Sequence, residues 1–230
     1  MRRLRELDYS STGVVVIMCI REERNLLRRV TISLILALGL AACADRTTLV
    51  APSLIPDSRQ CLAELDRLGV VYQVEAPANA GSACAVATPV RVAAATAAWS
   101  QPAIASCGFV AIFDRFERES IRPLAVRYFG KDIRAIIDLG AYSCRRTRAG
   151  RESEHGRGMA LDFAGVELAD GSRVLVKEDW GKPGPSRAFL RAVAASACRY
   201  FNVVLTPDSD RDHFDHIHVD LGPYRLCVAR

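Results

Sequence analysis

From position 58 onward the chain alternates between stretches of helical and of strand-like patterning. Around 58–68 the run Cys61-Leu62-Ala63-Glu64-Leu65-Asp66-Arg67-Leu68 sets apolar residues at helical spacing, with Gly69 placed as a C-terminal stop. Residues 70–74 predict a strand, 76–82 a small-residue loop containing Pro77, and 89–92 a second strand. The longest helical pattern covers 109–129. Phe109, Ile112, Phe113, Phe116, Ile121, Leu124 and Val126 form its apolar face, and Gly130 ends it. Pro123 predicts a kink or a split, because its ring displaces the preceding turn and it has no N–H to donate. Short apolar strands are expected at 133–139, 160–163 and 166–168. Asp170-Gly171 reads as a hairpin turn before a strand at 174–176. Residues 186–200 form an amphipathic helix with Phe189, Leu190, Val193 and Ala197 on one side, and strands at 203–205 and 216–221 close the chain. Helices and hairpins mix without a regular βαβ rhythm. That predicts an α+β fold: a small antiparallel sheet flanked by helices.

The first 57 residues follow a different logic. A basic stretch (Arg24, Arg28, Arg29) precedes an apolar run over 30–40 and then small residues, the order of a secretory signal. A run of about 11 residues is too short to span a bilayer as a helix, which takes ~20. Met18 stands as an alternative start that gives a leader of ordinary length. Residues 44–57, with Thr47, Thr48, Pro52, Pro56 and Asp57 and no period, read as a tether, which leaves 58–230 as the folded domain.

Composition adds two constraints. Apolar residues make up 50% and charged residues 25%, enough for a real core in a soluble domain. Of the net charge of +5, a surplus of three lies in residues 1–43, so the body is nearly neutral. That argues against a nucleic-acid binder, which would show a basic stripe or patch. No G-x-G-x-x-G or P-loop pattern suggests a nucleotide. Of the eight cysteines, Cys19 and Cys43 fall in the leader. Cys61, Cys84, Cys107, Cys144, Cys198 and Cys227 remain, an even number that in an exported protein reads as three disulfides. Without a C-x-x-C spacing they do not read as a zinc site. Cys144 and Cys198 are expected to pair, since each lies beside a segment placed near the active centre. Each bridge is expected to stabilise by ~2–4 kcal/mol.

Candidate chemistry concentrates in the histidines. All four, His155, His213, His216 and His218, lie in two short segments, 153–162 and 212–220. On a strand, His216 and His218 point to one face. Gly156 and Gly158 disfavour a helix around His155, so that segment reads as a loop entering the strand that holds Asp162. One Asp and two His make the three-ligand set of an open catalytic zinc site, with water in the fourth position. Zinc would acidify that water toward pKa ~7 and polarise a carbonyl. A solvated acidic, histidine-rich loop or a structural metal site are the plainer alternatives.

Several motifs resemble known families. Leu40-Ala41-Ala42-Cys43 resembles the lipobox of bacterial lipoproteins, which implies lipidation at Cys43; Ala44 in the next position implies the outer membrane. Ser153, His155, Gly158, Ala160 and Asp162 match the S-x-H-x-x-G-x-A-x-D pattern of the zinc peptidases grouped with lysostaphin, the D-Ala-D-Ala peptidases and the hedgehog domain. His216 and His218 match the late H-x-H of that group, and Asp215 with His218 its acid-x-x-H. The spacing of His213, His216 and His218 is similar to that of the penicillin-insensitive murein endopeptidases. Around these motifs, C-L-A-E-L at 61–65, L-G-A-Y-S-C-R at 139–145, A-D-G-S-R at 169–173 and A-C-R-Y-F at 197–201 resemble the bacterial extensin-like C-terminal domain family, over roughly 59–227.

The resemblance implies one zinc held by His155, Asp162 and His218. It offers His216 and Asp215 as alternatives for the general base, and Arg145 or its neighbour Arg146 to stabilise the oxyanion. Ser153 would orient a ligand or bind a substrate carboxylate, and His213 would lie near the site or simply be exposed. The expected activity is hydrolysis of stem-peptide amide bonds, with peptidoglycan as partner and the membrane reached through the lipid at Cys43. The rival expectation is a wall-binding or envelope-assembly lipoprotein that keeps the zinc fold without turnover.

Overall fold

The computed structural model describes residues 58–77, 79 and 82–229. The leader, Cys43 and the tether of 44–57 lie outside the described residues. Among the described residues no helix is long and apolar enough to cross a membrane.

The chain opens with helix α1 (Ser58–Leu68), followed by strands β1 (Val71–Val74), β2 (Pro89–Ala94) and β3 (Ala98–Ser106). Helix α2 (Cys107–Phe116), a π-helical turn (Glu117–Ile121) and α3 (Arg122–Phe129) lead to β4 (Ile133–Asp138). After a long loop come β5 (Ala160–Leu168), β6 (Arg173–Leu175), the single-turn α4 (Val176–Asp179) and α5 (Pro185–Ala197). Strands β7 (Val203–Leu205), β8 (Ile217–Asp220) and β9 (Leu226–Cys227) complete the chain. The architecture is α+β, but the sheet is neither small nor purely antiparallel. It has nine strands in the order β1-β2-β3-β4-β5-β8-β7-β9, with β6 also on β5, and the β3–β4 and β7–β9 pairs are parallel.

Three local differences from expectation have physical causes. Strand β3 carries Pro102 and a run of small residues, which masks it in sequence. The proline falls within 99–102, where the register against β2 breaks, so no ladder hydrogen bond is asked of it. The two strands expected at 160–163 and 166–168 are one strand, β5, whose register against β4 breaks at Ala164, next to Gly165. A Cβ there would overlap the Val174 carbonyl oxygen of β6, so only glycine admits that neighbour. The helix expected over 109–129 is continuous but widened by its π-helical turn. In the wide turn, just before Pro123, the Arg122 N–H donates to the Glu117 carbonyl five residues back.

Helix α2 packs on β2 and β3 and α5 on β6, while α1 lies against α2 and α3 against α5. Phe109, Phe113, Phe116 and Phe201 form a contiguous aromatic group with Trp99. Each such ring contributes roughly 1.5–3 kcal/mol by burial.

Among the described residues three disulfides are present, joining Cys61 to Cys107, Cys84 to Cys144 and Cys198 to Cys227. The expected Cys144–Cys198 pair is therefore corrected. Cys144 does lie in the loop that backs His155, since Ser143 N–H donates to the His155 carbonyl at 3.2 Å. Its partner, however, comes from the loop before β2. Cys198 sits just past α5, where it fastens β9 at the sheet edge.

Candidate metal centre

Asp162 on β5 pairs directly with His218 on β8 in the antiparallel register. Opposed residues share a face with Cβ atoms ~4.5–5.5 Å apart, so strand pairing alone brings this carboxylate and imidazole together. His155 arrives from the 3₁₀ turn Glu154–Arg157, where Ser153 Oγ accepts the His155 N–H at 3.4 Å as the N-cap. Gly158 ends that turn in the left-handed region, at φ 62°. A Cβ on Gly158 would lie 2.8 Å from Ser106 N and 2.9 Å from Val86 Cγ1. The bare backbone instead lets its carbonyl accept the Ser106 N–H at 2.8 Å, docking the turn onto the end of β3.

The tautomers follow from the outer hydrogen bonds. His155 Nδ1–H donates to the Ala141 carbonyl at 2.8 Å, which leaves its Nε2 with a lone pair. His218 Nε2–H donates to Asp220 Oδ2 at 2.9 Å, which leaves its Nδ1 with one. These two lone pairs are 3.1 Å apart. His155 Nε2 is also 3.1 Å from Asp162 Oδ1, and His218 Nδ1 is 2.9 Å from it. Three acceptors thus converge on one point at 2, 8 and 9% exposure. Neutral rings offer no hydrogen to separate them, so protons or a cation must. The donor set suits one metal ion: nitrogen and oxygen ligands ~2.0–2.2 Å from a tetrahedral centre lie ~3.3 Å from each other, a few tenths of an ångström beyond the spacing seen.

Burial opposes charge on His218, but bonds to Asp162 and Asp220 lift its imidazole to about 9. Burial likewise opposes charge on Asp162, yet the neighbouring imidazoles of His155, His216 and His218 hold its carboxyl well below the usual carboxylate range.

His216 immediately precedes β8 and faces the same centre. Its Nδ1–H donates to Asp215 Oδ1 at 2.9 Å, and its Nε2 lies 3.3 Å from Asp162 Oδ1. Burial opposes its charged form, but Asp162 and Asp215 outweigh that and raise its pKa. Asp215 therefore stands behind His216, on the far ring nitrogen. His213 is half-buried rather than free on the surface, with its ring 5.1 Å from that of His216 and its Nδ1 bonded to Asp210 at 2.8 Å. Its burial lowers its pKa. Of the two adjacent arginines, Arg145 reaches the centre, with Nη2 3.8 Å from Asp162 Oδ2. Arg146 instead pairs with Glu152 at 3.0 Å. Ser153 uses its oxygen as the cap of the His155 turn. All these residues, Arg146 and Glu152 included, line one open cleft of about 1170 Å³, formed mainly by parts of 145–157 and 203–226.

Asp220 was absent from the sequence reading. The signal was present: His216, His218 and Asp220 alternate along one strand and share a face, so a carboxylate two residues past a ligand imidazole is placed to bond it.

Fold and site together define an α+β domain built around a buried His–Asp–His cluster at the floor of an open cleft. The sequence model of the family Extensin-like protein C-terminus matches residues 59–228, and the chain belongs to that family. No curated protein and no solved structure matches the chain.

Proposed function

We propose that the protein is a zinc-dependent hydrolase of amide bonds in peptidoglycan stem peptides, exported and lipid-anchored to the outer membrane through Cys43. One observation carries the chemistry: the lone pairs of His155 and His218 and the carboxylate of Asp162 converge at about 3 Å beside the Asp215–His216 pair. The match of 153–162 and 215–218 to the motifs of the lysostaphin, D-Ala-D-Ala peptidase and hedgehog group supports the same reading. The lipobox-like 40–43 supports the location.

When bound, zinc supplies Lewis acidity toward the scissile carbonyl and toward water. His155, Asp162 and His218 would hold it, and Ala141 and Asp220 fix the ring faces that do so. The residues around that centre divide the remaining work. His216 presents Nε2 toward the cleft and accepts a proton there, while Asp215 holds its other nitrogen protonated and stabilises the resulting cation. That is the logic of an imidazole base backed by a carboxylate. Arg145 brings a guanidinium to the rim, where it opposes negative charge developing on the carbonyl oxygen. Ser153 positions His155 and takes no part in proton transfer.

The test is digestion of purified sacculi, with products identified by mass spectrometry. The protein should release new peptide fragments, and His216→Ala should keep its metal while losing at least a hundredfold in rate, the ordinary contribution of a general base of ~10²–10⁴. Undiminished release by His216→Ala would remove that residue from the mechanism. Zinc binding without any fragment would turn the reading toward a wall-binding lipoprotein.

A further inference from the structure

Five arginines line the cleft: Arg145, Arg146, Arg148, Arg151 and Arg157. Four of them face a carboxylate. Arg145 lies 3.8 Å from Asp162, Arg146 3.0 Å from Glu152, Arg148 2.5 Å from Asp212 and Arg157 3.6 Å from Glu154. Arg151 has no carboxylate partner among the described residues. Its guanidinium instead lies over the ring of Tyr224, 4.8 Å from the centroid.

This arginine is held in place by its backbone. Thr147 N–H donates to the Arg151 carbonyl at 2.7 Å, and Arg151 N–H donates to Thr147 Oγ1 at 3.2 Å. The Arg146–Glu152 bridge closes the same loop. Stacking occupies the face of a guanidinium and leaves the N–H donors on its edge free. Tyr224 is also one of three large apolar side chains left exposed on this cleft, with Leu139 and Leu226. The wall therefore combines apolar contact area with one fixed, uncompensated fork of donors.

We propose that Arg151, braced by Tyr224, receives a free carboxylate of the peptide bound in the cleft, so that the protein selects peptides whose acid groups are unamidated. The inference rests on the peptide-hydrolase reading of the site and narrows its substrate class. Among the described residues Arg151 is the one cleft arginine without a carboxylate partner, and a single guanidinium matches the charge and the planar, two-oxygen geometry of a carboxylate. A phosphate dianion would call for more positive charge than this wall leaves uncompensated.

The test is a calorimetric titration of the full-length protein after metal removal by a chelator, so that nothing is cleaved and no metal competes for the carboxylate. The probes are disaccharide–peptide fragments from digested sacculi and the same fragments with every carboxyl group converted to an amide. The acid fragments should bind about fivefold to tenfold tighter than the amidated ones, a factor of ten corresponding to ~1.4 kcal/mol. Arg151→Gln and Tyr224→Ala should each abolish that preference while melting like the wild type. Arg67→Gln, on α1 and outside the cleft, should retain it. Equal binding of the two probes, no binding of either, a preference that survives Arg151→Gln, or displacement by millimolar inorganic phosphate as effective as by the acid fragments would each overturn the proposal. Failure to digest sacculi with the preference intact would sink the hydrolase reading alone; digestion without the preference would sink this inference alone.

Discussion

Asp220→Asn tests the outer support of the site at a single atom. The Asp220 carboxylate accepts His218 Nε2–H at 2.9 Å through Oδ2 and Gly222 N–H at 2.8 Å through Oδ1. An asparagine offers one oxygen for these two donors. If that oxygen stays with Gly222, the amide group faces His218 Nε2 and demands a lone pair there. The ring proton must then move to Nδ1, the atom that points at Asp162 and at the metal position. If the amide flips, two N–H groups confront each other at Gly222, a loss of about 1–3 kcal/mol. Either route removes a pre-oriented ligand, and loss of such a support costs ~10–100-fold in metal affinity. The assay is zinc competition against a chromophoric chelator at fixed pH, with the melting temperature of the metal-free protein as a fold control. A fall of one to two decades in zinc affinity is expected. Affinity within twofold of wild type would refute the positioning role of Asp220.

Three further outcomes follow from the structure. Glu117 is fully buried in the π-helical turn, and burial, with Asp114 adding to it, raises its carboxyl from 4.5 to about 8. Its stabilising neutral form is fully retained below pH 4.5 and lost as pH rises through about 8; at ~1.4 kcal/mol per unit this is at most ~5 kcal/mol. Denaturant titrations should show the wild type losing stability across that window relative to Glu117→Gln, and parallel profiles for the two would contradict it. Replacing Cys84 and Cys144 by serine opens a loop of sequence separation 60. It should lower unfolding free energy by about 4 kcal/mol in urea; a change below 1 kcal/mol would count against the bridge. Gly158→Ala forces a Cβ into the left-handed region and against Ser106 N. It should cost at least ~2 kcal/mol of stability and weaken zinc binding, since His155 rides on that turn; an unchanged melting curve would contradict the docking described.

What could be read in advance depended on how local each signal was. The helices Ser58–Leu68 and Pro185–Ala197 declared themselves because their apolar spacing is contained within a few turns. The candidate site was legible because its histidines cluster in two short segments, and strand alternation then put His216 and His218 on one face. The sheet was misjudged because its size depends on which distant strands pair. Nothing near Pro102 or Gly165 announces that β3 is a strand or that β5 runs unbroken past β6. The disulfide partners were hidden for the same reason: Cys84 meets Cys144 only after β2, β3 and β4 have been laid side by side. Two alternatives that the sequence leaves open become distinct once side chains have positions. Arg145 rather than Arg146 approaches Asp162, and His216 rather than Asp215 faces the centre. Arg151 and Tyr224, 73 residues apart in the numbering, carry no shared pattern that could have joined them.

The most direct test of the central claim is metal content by mass spectrometry of the native-purified protein, alongside His155→Ala, Asp162→Ala and His218→Ala. About one zinc per chain in the wild type and near-complete loss in each variant, with folding confirmed by circular dichroism, is the predicted result. Wild-type protein that neither carries zinc nor takes it up, or variants that keep a full equivalent, would contradict the metal centre and the hydrolytic function built on it.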